Sequence, residues 1–322
     1  MIKEIRSDLF CIEVPLPKNP LKSINSYVIR GHDRNLIIDT AMNRPECKEV
    51  MFPALEKLGI DLEKTDLFIT HLHADHFGLT GDLATDKSKC YIGREEDKYM
   101  KGKPDWDYMI QFFVDNGFPE STARDSMSRH PGLLYSPSRL VDLTPVFDGD
   151  LIRVGDYELR CIDTPGHTPG HVCLYDEKKK IFFSGDHILF DITPNIAHWM
   201  AREDSLRDYL SSLDKVSTLP VELVLPGHRN SWNQLTDRIK ELKQHHRKRL
   251  DEVIAALQNR NMTAYEIAPF ITWKIEFREW NDFPITQKWF AVGETLAHLH
   301  YLEHDGVLKQ YQDNGLTYYA LS

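Results

Sequence analysis

The chain has 322 residues, of which 41% are hydrophobic and 27% charged, values ordinary for a globular protein with one large domain or two smaller ones. Its formal net charge of -10 disfavours general binding to nucleic acid or anionic membranes. The N-terminus lacks the apolar core of a signal peptide, and no apolar run approaches the ~18 residues of a membrane span. The five cysteines are scattered without a CxxC pair, which is typical of reduced thiols, so the sequence predicts a cytoplasmic protein.

Apolar runs and their spacing predict the order of elements along the chain. The predicted strands cover residues 9–16, 26–30, 35–39, 67–70, 151–161, 172–175 and 181–184. The predicted helices cover residues 45–58, 205–216 and 232–257. Groups of strands separated by helices predict a mixed α and β fold in which helices cover stacked sheets.

Three imidazoles and a carboxylate stand within six residues, directly after a predicted strand. They are His71, His73, Asp75 and His76. A helix would place His73 and His76 on one face and pair His71 with Asp75, whereas a loop would direct the groups at two separate points. This density of His and Asp at a strand end is typical of metal ligands, and the loop arrangement suits two metal ions.

Three further apolar runs end in Gly or Pro and are followed by ligand-type side chains. They lead to His167 and His171 in the turn PGHTPGH, to Asp186 and His187, and to His228. Tight Gly and Pro turns can present an imidazole, and strand ends at one rim of an α/β enzyme commonly converge. The sequence therefore predicts one pocket built from four strand ends.

The motifs HxHxDH, GHTxGH, Gly-Asp and a late PGH, in this order, resemble those of the metallo-β-lactamase superfamily of binuclear metal hydrolases over about residues 8–245. The resemblance implies an α+β fold, the four-layer αββα sandwich. Matched by position, it implies His71, His73 and His171 on the first metal, Asp75, His76 and His228 on the second, and Asp186 bridging both. Asp39, His167 and His187 are expected behind these ligands or at the pocket wall.

This ligand set implies hydrolysis by a hydroxide that two divalent ions share, because two metals lower the pKa of water to about 7. Zinc is the favoured metal, although imidazole and carboxylate also suit iron and manganese. Asp75 is expected to handle a proton as the catalytic residue. The predicted substrate is an ester, thioester or lactone of a small metabolite. The alternative is a phosphodiesterase or endoribonuclease of the same superfamily.

Two groups of proteins with related motifs match this sequence less well. Dedicated β-lactamases carry Cys where this chain has Asp186, which argues against antibiotic hydrolysis. Flavodiiron proteins carry Glu where this chain has His73, and they append a flavodoxin-like domain, which argues against a redox role. All seven implied ligands are present, so a binding protein that has lost catalysis is also disfavoured.

The predicted catalytic domain, residues 1–250, contains a long insertion at about 94–140. The insertion is predicted to be helical and is rich in aromatic residues, including Trp106, Phe112 and Phe113. These side chains could form an apolar lid over the metals or a small core of their own.

Residues 251–322 are predicted to form a second module. Helices near 262–268 and 286–303 and a hairpin over 306–321 give an order similar to a winged helix. Such a module could bind DNA, buttress the pocket or form an oligomer contact, so a homodimer is left open. Three histidines in or next to the helix predicted near 286–303 are expected on its surface: His298, His300 and His304.

One basic stretch, residues 238–249, stands out in the acidic chain. It could steer RNA or an anionic substrate, but no aromatic residues for base stacking interrupt it. A solvated helix face is therefore favoured. A small molecule is the predicted partner, and nucleic acid remains the alternative.

Overall fold

The structure is a computed structural model that describes residues 1–102, 105–274 and 279–322. Its first sheet has seven strands, which lie side by side in chain order. They are β1 Ile2–Arg6, β2 Leu9–Pro15, β3 Ser23–Ile29, β4 Asn35–Ile38, β5 Thr65–Ile69, β6 Cys90–Gly93 and β7 Leu143–Val146. Strands β1 to β4 pair antiparallel, and β4 to β7 pair parallel.

The second sheet has five strands in the order β12-β11-β10-β9-β8, and a two-stranded sheet closes the chain. The strands are β8 Leu151–Val154, β9 Tyr157–Asp163, β10 Val172–Asp176, β11 Ile181–Gly185, β12 Leu223–Pro226, β13 Leu308–Asp313 and β14 Leu316–Leu321. The two large sheets bury a shared apolar layer, in which Tyr27 of β3 meets Phe183 of β11 edge to face at 5.4 Å between ring centroids.

Helices lie between the strands along the chain, and some of them cover the outer faces of the two large sheets. They are α1 Pro45–Lys57, α2 Ala74–Phe77, α3 Thr80–Leu83, α4 Arg94–Lys101, α5 Trp106–Asp115, α6 Glu120–Ser128, α7 Pro131–Leu134, α8 Ser205–Ser217, α9 Leu235–Leu257, α10 Ala264–Ile267 and α11 Ile285–His304. On one side, Met51 of α1 packs with the first sheet, and on the other Leu213 of α8 packs with the second. The predicted αββα sandwich is confirmed.

The sequence missed three strands and merged two others. The strands β1, β6 and β7 were not predicted, and β6 and β7 are only four residues long. The single strand expected over 151–161 is a hairpin of β8 and β9, which turns at Gly155 with φ of +52°. In the described parts of the chain, no helix has the length and apolar character of a membrane span.

The insertion is helical, as predicted, and consists of α4 to α7; residues 103–104 lie outside the described residues. Its described residues form no separate core. Five of its side chains join the cluster that also contains α8, α9 and α11: Ile110, Phe113, Phe118, Ala123 and Met127. The ring of Phe113 stacks on Trp289 of α11 with centroids 3.7 Å apart. The insertion therefore packs against the C-terminal segment.

The predicted helix, helix and hairpin after residue 251 are present; residues 275–278 lie outside the described residues. A capping box between Thr263 and Glu266 starts α10. The hairpin turns at Asn314 and Gly315, which both have positive φ, as a type I′ turn requires.

Most of α11 is buried against α6, α8, α9 and α10. A helix that reads DNA has to expose the face that enters the groove, and α11 is covered. The expectation that His298 lies on the helix surface was wrong, because its side chain is fully buried. His300 is partly buried, and His304 is exposed.

The contact between Phe113 and Trp289 should stabilise the whole protein. We expect Phe113→Ala to lower the free energy of unfolding by about 3–5 kcal/mol, because it leaves a cavity between the insertion and α11. The matched control is Tyr108→Ala in the same helix, where the side chain is 61% exposed and the loss should stay within about 0.5 kcal/mol. Urea unfolding measures both, and equal losses would contradict this packing.

Candidate metal centre

The ends of five strands from both sheets meet at one edge of the sandwich. Asp39 follows β4, and His71 follows β5 by one residue. The turn containing His167 follows β9, Asp186 follows β11, and His228 follows β12. All of these side chains are buried. The predicted convergence of strand ends therefore occurs, with β4 as a fifth contributor.

The dense histidine motif combines both geometries that the sequence left open. His71 and His73 lie in the extended segment after β5, whereas Asp75 and His76 lie in the short helix α2, which begins at Ala74. The chain direction changes between the two pairs. The motif can therefore direct His71 and His73 to one point and Asp75 and His76 to another.

A first group of ligand atoms is formed by three histidines. His71 Nε2 lies 2.9 Å from His73 Nδ1, and His167 Nε2 lies 3.0 Å from the same atom. The three nitrogens are close enough to hold one ion. Burial, together with neighbouring histidines, lowers the pKa of His71 and brings that of His73 to about 3, so these rings are neutral near pH 7.

A second group contains Asp75, His76 and His228. His228 Nε2 lies 3.3 Å from Asp75 Oδ2. Burial alone would raise the pKa of Asp75, but His76 and His228 bring it down to about 2. The carboxylate is therefore ionised near neutral pH and able to bind a cation.

Asp186 lies between the two groups. Its Oδ2 is 3.5 Å from His228 Nε2 and 3.8 Å from His167 Nε2, and its Oδ1 is 3.5 Å from His76 Nε2. Burial opposes its charge, but His228 and His76 hold the pKa of this carboxyl well below its usual range. One carboxylate thus faces ligand atoms of both groups.

The donor set fits divalent metal ions. Three atoms that point into the centre are buried and make no hydrogen bond within the described residues: His76 Nε2, Asp186 Oδ1 and His228 Nε2. Buried polar atoms without partners are costly, and a bound cation would satisfy them. Despite burial, Asp186 raises the pKa of His228 to about 10, and Asp39 and Asp186 raise that of His76 well above its usual range, so a bound cation would displace a proton from each ring. Imidazoles together with carboxylates are the ligands that zinc prefers.

Hydrogen bonds behind the ligands set the tautomers of three histidines. His76 Nδ1 donates to Asp39 Oδ2 at 2.8 Å, and His228 Nδ1 donates to the carbonyl of Ser23 at 2.6 Å. His167 Nδ1 donates to the carbonyl of Asn195 at 2.7 Å. Each bond fixes a proton on Nδ1, so Nε2 is the ring atom that faces the centre.

Asp39 supports the centre from behind. It adopts a positive φ of 57° and accepts the N–H of Thr70 at 2.8 Å in addition to His76. A non-glycine residue in this conformation is strained, and the hydrogen bonds hold it there. The position expected for Asp39, behind a ligand, matches this geometry.

His171 lies beside the first group. Its ring centroid is 5.1 Å from that of His71, its Nδ1 lies 2.8 Å from Thr164 Oγ1, and its Nε2 lies 3.2 Å from the backbone N–H of Asp186. Of the two histidines in the turn, His167 has its Nε2 next to His73, and the assignment of His171 to the first metal stays a prediction. His187 packs its ring on Tyr209 at 5.3 Å between centroids.

Two parts of the centre were missed from the sequence. Glu96, at the start of α4, is fully buried and accepts the N–H of Gly170 at 2.9 Å, which braces the turn between His167 and His171. Trp199 stacks on His73 with ring centroids 6.0 Å apart, and the ring of Tyr99 packs edge to face against Trp199. Trp199 lies in a loop without periodicity, which carried no signal, whereas Tyr99 lies in the predicted aromatic insertion.

Two protein-family models match the chain. The model of the metallo-beta-lactamase superfamily matches residues 19–228, and that of the metallo-beta-lactamase-like C-terminal domain matches residues 250–321. The chain belongs to the metallo-β-lactamase superfamily, and it is a hydrolase of that superfamily, whose members use divalent metals.

Individual relatives extend over different lengths. A probable metallo-hydrolase of Bacillus subtilis, YqjP, is 23% identical over 97% of both chains. The human acyl-coenzyme A thioesterase MBLAC2 is 26% identical over 65% of this chain and 74% of its own. The chain spans only 61% of the length of the Emericella nidulans lactamase-like protein aptB, which is 24% identical over 74% of this chain.

A solved structure covers the full chain. The metallo-beta-lactamase family protein TTHA1429 from Thermus thermophilus superposes with a TM-score of 0.82 at 28% identity, over 99% of this chain and 100% of that chain. The similarity includes the insertion and the C-terminal segment as well as the sandwich.

The raised pKa of Glu96 predicts how the stability of the protein depends on pH. Burial raises its pKa to about 7, so the native protein holds a proton that the unfolded chain releases at lower pH. Stability should therefore fall as pH rises from about 4.5 to 7, by up to about 1.4 kcal/mol per pH unit. Glu96→Gln should remove this part of the slope.

The measurement is chemical unfolding of wild type and Glu96→Gln across this pH range, with a chelator present so that metal binding does not contribute. The control is Glu95→Gln, since the Glu95 carboxylate pairs with Lys98 at the surface. Identical pH slopes for wild type and Glu96→Gln would show that Glu96 is not the responsible group.

Proposed function

We propose that the protein is a binuclear metal hydrolase that cleaves acyl thioesters or related esters of small metabolites. The observation that carries the proposal is Asp186, whose carboxylate lies within 4 Å of nitrogens of His76, His167 and His228 and forms a further group of ligand spacing with His71 and His76. A bridging carboxylate is the arrangement that two neighbouring cations require.

The proposed ligands are those that the motifs imply. His71, His73 and His171 would hold the first ion, and Asp75, His76 and His228 the second, with Asp186 shared. His167 would line the centre beside His73, from whose Nδ1 its Nε2 lies 3.0 Å. Two divalent ions, most simply zinc, would supply a water whose pKa is about 7 and a positive field for developing negative charge.

The protein's own residues would then orient and enclose the reaction. Asp75 is proposed to take up or release a proton near the substrate, and this role stays a prediction. The ring of Trp199 lies beside His73, and that of Tyr99 lies beside Trp199, so the two rings offer an apolar wall for an acyl group. The human relative named as an acyl-coenzyme A thioesterase supports this substrate class.

The alternative, cleavage of RNA or another phosphodiester, has less support. The basic side chains of α9 are largely paired with carboxylates: Arg238 with Glu241, Lys240 with Asp237, Lys243 with Asp214, Arg247 with Asp251, and Lys248 with Glu252. Paired charges attract phosphates weakly, and the helix expected to read nucleic acid, α11, is buried.

Metal binding tests the ligand assignment. We expect wild-type protein to bind two equivalents of zinc, and His171→Ala to lose one of them, because the first ion then has only two histidines. His167→Asn should retain both, since an amide can still donate a hydrogen bond to the carbonyl of Asn195. Equilibrium dialysis followed by elemental analysis gives the stoichiometry. Loss of zinc in His167→Asn but not in His171→Ala would assign the ligand role to His167 instead.

A substrate panel tests the reaction. We expect the zinc-loaded protein to hydrolyse acyl-coenzyme A thioesters, with Trp199→Ala raising KM for long acyl chains more than for acetyl. The panel should include a lactone, a β-lactam and a phosphodiester, and Tyr108→Ala is the control variant because its side chain is exposed on α5. Activity on the phosphodiester alone would overturn the proposed substrate.

A further inference from the structure

The loops that follow β11 and β12 carry a guanidinium and a partly exposed pair of aromatic rings. We propose that Arg229, Phe190 and Trp232 form a subsite for the adenine nucleotide of a coenzyme A thioester, with Arg229 at the phosphates and Trp232 at the base. This inference rests on the proposed function and deepens it, because it names the part of the substrate that these residues bind.

Arg229 directly follows His228, a proposed ligand of the second ion. Its backbone has a φ of +65°, a left-handed conformation that glycine adopts freely and that is strained for arginine. Its Nη2 donates to the carbonyl of Pro20 at 2.7 Å. Within the part of the chain that the structure describes, Arg229 makes no ion pair, and its buried Nε has no hydrogen-bond partner. The sequence thus places an unpaired cation where the backbone favours glycine.

The charges around Arg229 favour an anion. Its guanidinium lies against the loop between β2 and β3, in which Lys18 and Lys22 are exposed. The carboxylate of Asp191 lies on the neighbouring loop, but it accepts a hydrogen bond from Asn230 Nδ2 at 3.0 Å. In a chain with a net charge of -10, such a local excess of positive charge attracts phosphate groups.

The aromatic pair supplies a flat surface close to this charge. Trp232 stacks on Phe190 with ring centroids 5.9 Å apart and an angle of 26° between the planes. Its Nε1 donates to Gln234 Oε1 at 3.2 Å, and its backbone pairs with Val224 of β12. Trp232 is nevertheless 44% exposed. An indole that is held in place and open to solvent can stack on a purine base.

Both loops are fixed before any ligand binds. Arg238 of α9 donates through Nε to the carbonyl of Leu189 at 2.6 Å and through Nη2 to that of Ile192 at 2.8 Å. The bond between Asn230 and Asp191 joins this loop to the one that carries Arg229. A preformed surface loses less conformational entropy when a ligand binds, so this arrangement suits recognition.

The position of the subsite determines how a thioester would lie across the centre. Trp199, the proposed wall for the acyl group, stacks on His73 of the first ion, whereas Arg229 follows His228 of the second ion. Trp232 is four residues after His228, a stretch that spans at most about 14 Å. The flexible pantetheine arm of coenzyme A can bridge a gap of this order. The acyl group would therefore point toward Trp199 and the nucleotide toward Trp232.

Two substrates with the same acyl group test the subsite. They are butyryl-coenzyme A and butyryl-N-acetylcysteamine, which keeps the thioester but lacks the nucleotide. We expect Arg229→Met and Trp232→Ala each to raise the ratio of the first KM to the second by about tenfold, because each removes a contact with the nucleotide alone. A general effect on the centre changes both KM values and leaves the ratio unaltered. Arg229→Lys should retain most of the wild-type ratio, since it keeps the charge.

Two variants serve as matched controls. Arg153→Met removes an exposed arginine that pairs with Glu158 in the hairpin of β8 and β9. Tyr311→Ala removes a ring that is 40% exposed and stacks on Tyr318 in the C-terminal hairpin. Neither residue lies on the loops after β11 or β12, so both variants should have the wild-type ratio.

Calorimetric titration of the zinc-loaded protein with adenosine 3′,5′-bisphosphate measures nucleotide binding without turnover. We expect the dissociation constant to rise about tenfold in Arg229→Met and in Trp232→Ala, and to stay unchanged in the two controls.

Ratios of KM and dissociation constants equal to wild type in both variants would overturn the inference, even if the protein hydrolyses thioesters. An effect in only one of the two variants would also overturn it, because the subsite requires both the charge and the stacking surface. Conversely, weakened bisphosphate binding in both variants of a protein that cleaves no thioester would support the nucleotide subsite and overturn the proposed reaction.

Discussion

At the edge of the sandwich, the metal centre brings together buried ligand atoms, three of which make no hydrogen bond within the described residues. Asp186 lies among imidazole nitrogens of His76, His167 and His228, and several of these atoms make no hydrogen bond within the described residues. Such an arrangement is unfavourable unless cations occupy it. The strand ends, the strained Asp39 and the turn held by Glu96 all bring these atoms together against that cost.

The need to orient buried ligand atoms also explains the hydrogen-bond acceptors that lie behind the histidines. Asp39 and the carbonyls of Ser23 and Asn195 each accept a hydrogen bond from the outer nitrogen of a histidine, and so determine which nitrogen faces inward. Two of these acceptors belong to the sandwich. The third lies in a loop that contacts α11, where the Asn195 side chain donates to Glu294. The C-terminal segment and the insertion, which share one hydrophobic cluster, therefore stabilise the site as well as the fold.

Much of this was predictable from sequence, because ligand residues that follow strands carry a strong local signal. The helical insertion and the residues that meet at the edge were predicted from the residues themselves, whereas the αββα sandwich was implied by the family resemblance. The part that each of His167 and His171 plays stays a prediction, since both stand in one Gly and Pro turn. Glu96 and Trp199 were missed because their contacts with the turn and with His73 form only through tertiary packing.

The central claim, that Asp186 is shared by two metals, is tested most directly by a crystal structure of the zinc-loaded protein with anomalous scattering at the zinc edge. The account predicts two anomalous peaks about 3.5–4 Å apart, with the Asp186 carboxylate between them and His171 Nε2 bound to the ion that His71 and His73 share. A single peak, or an Asp186 carboxylate that contacts only one of two ions, would contradict it.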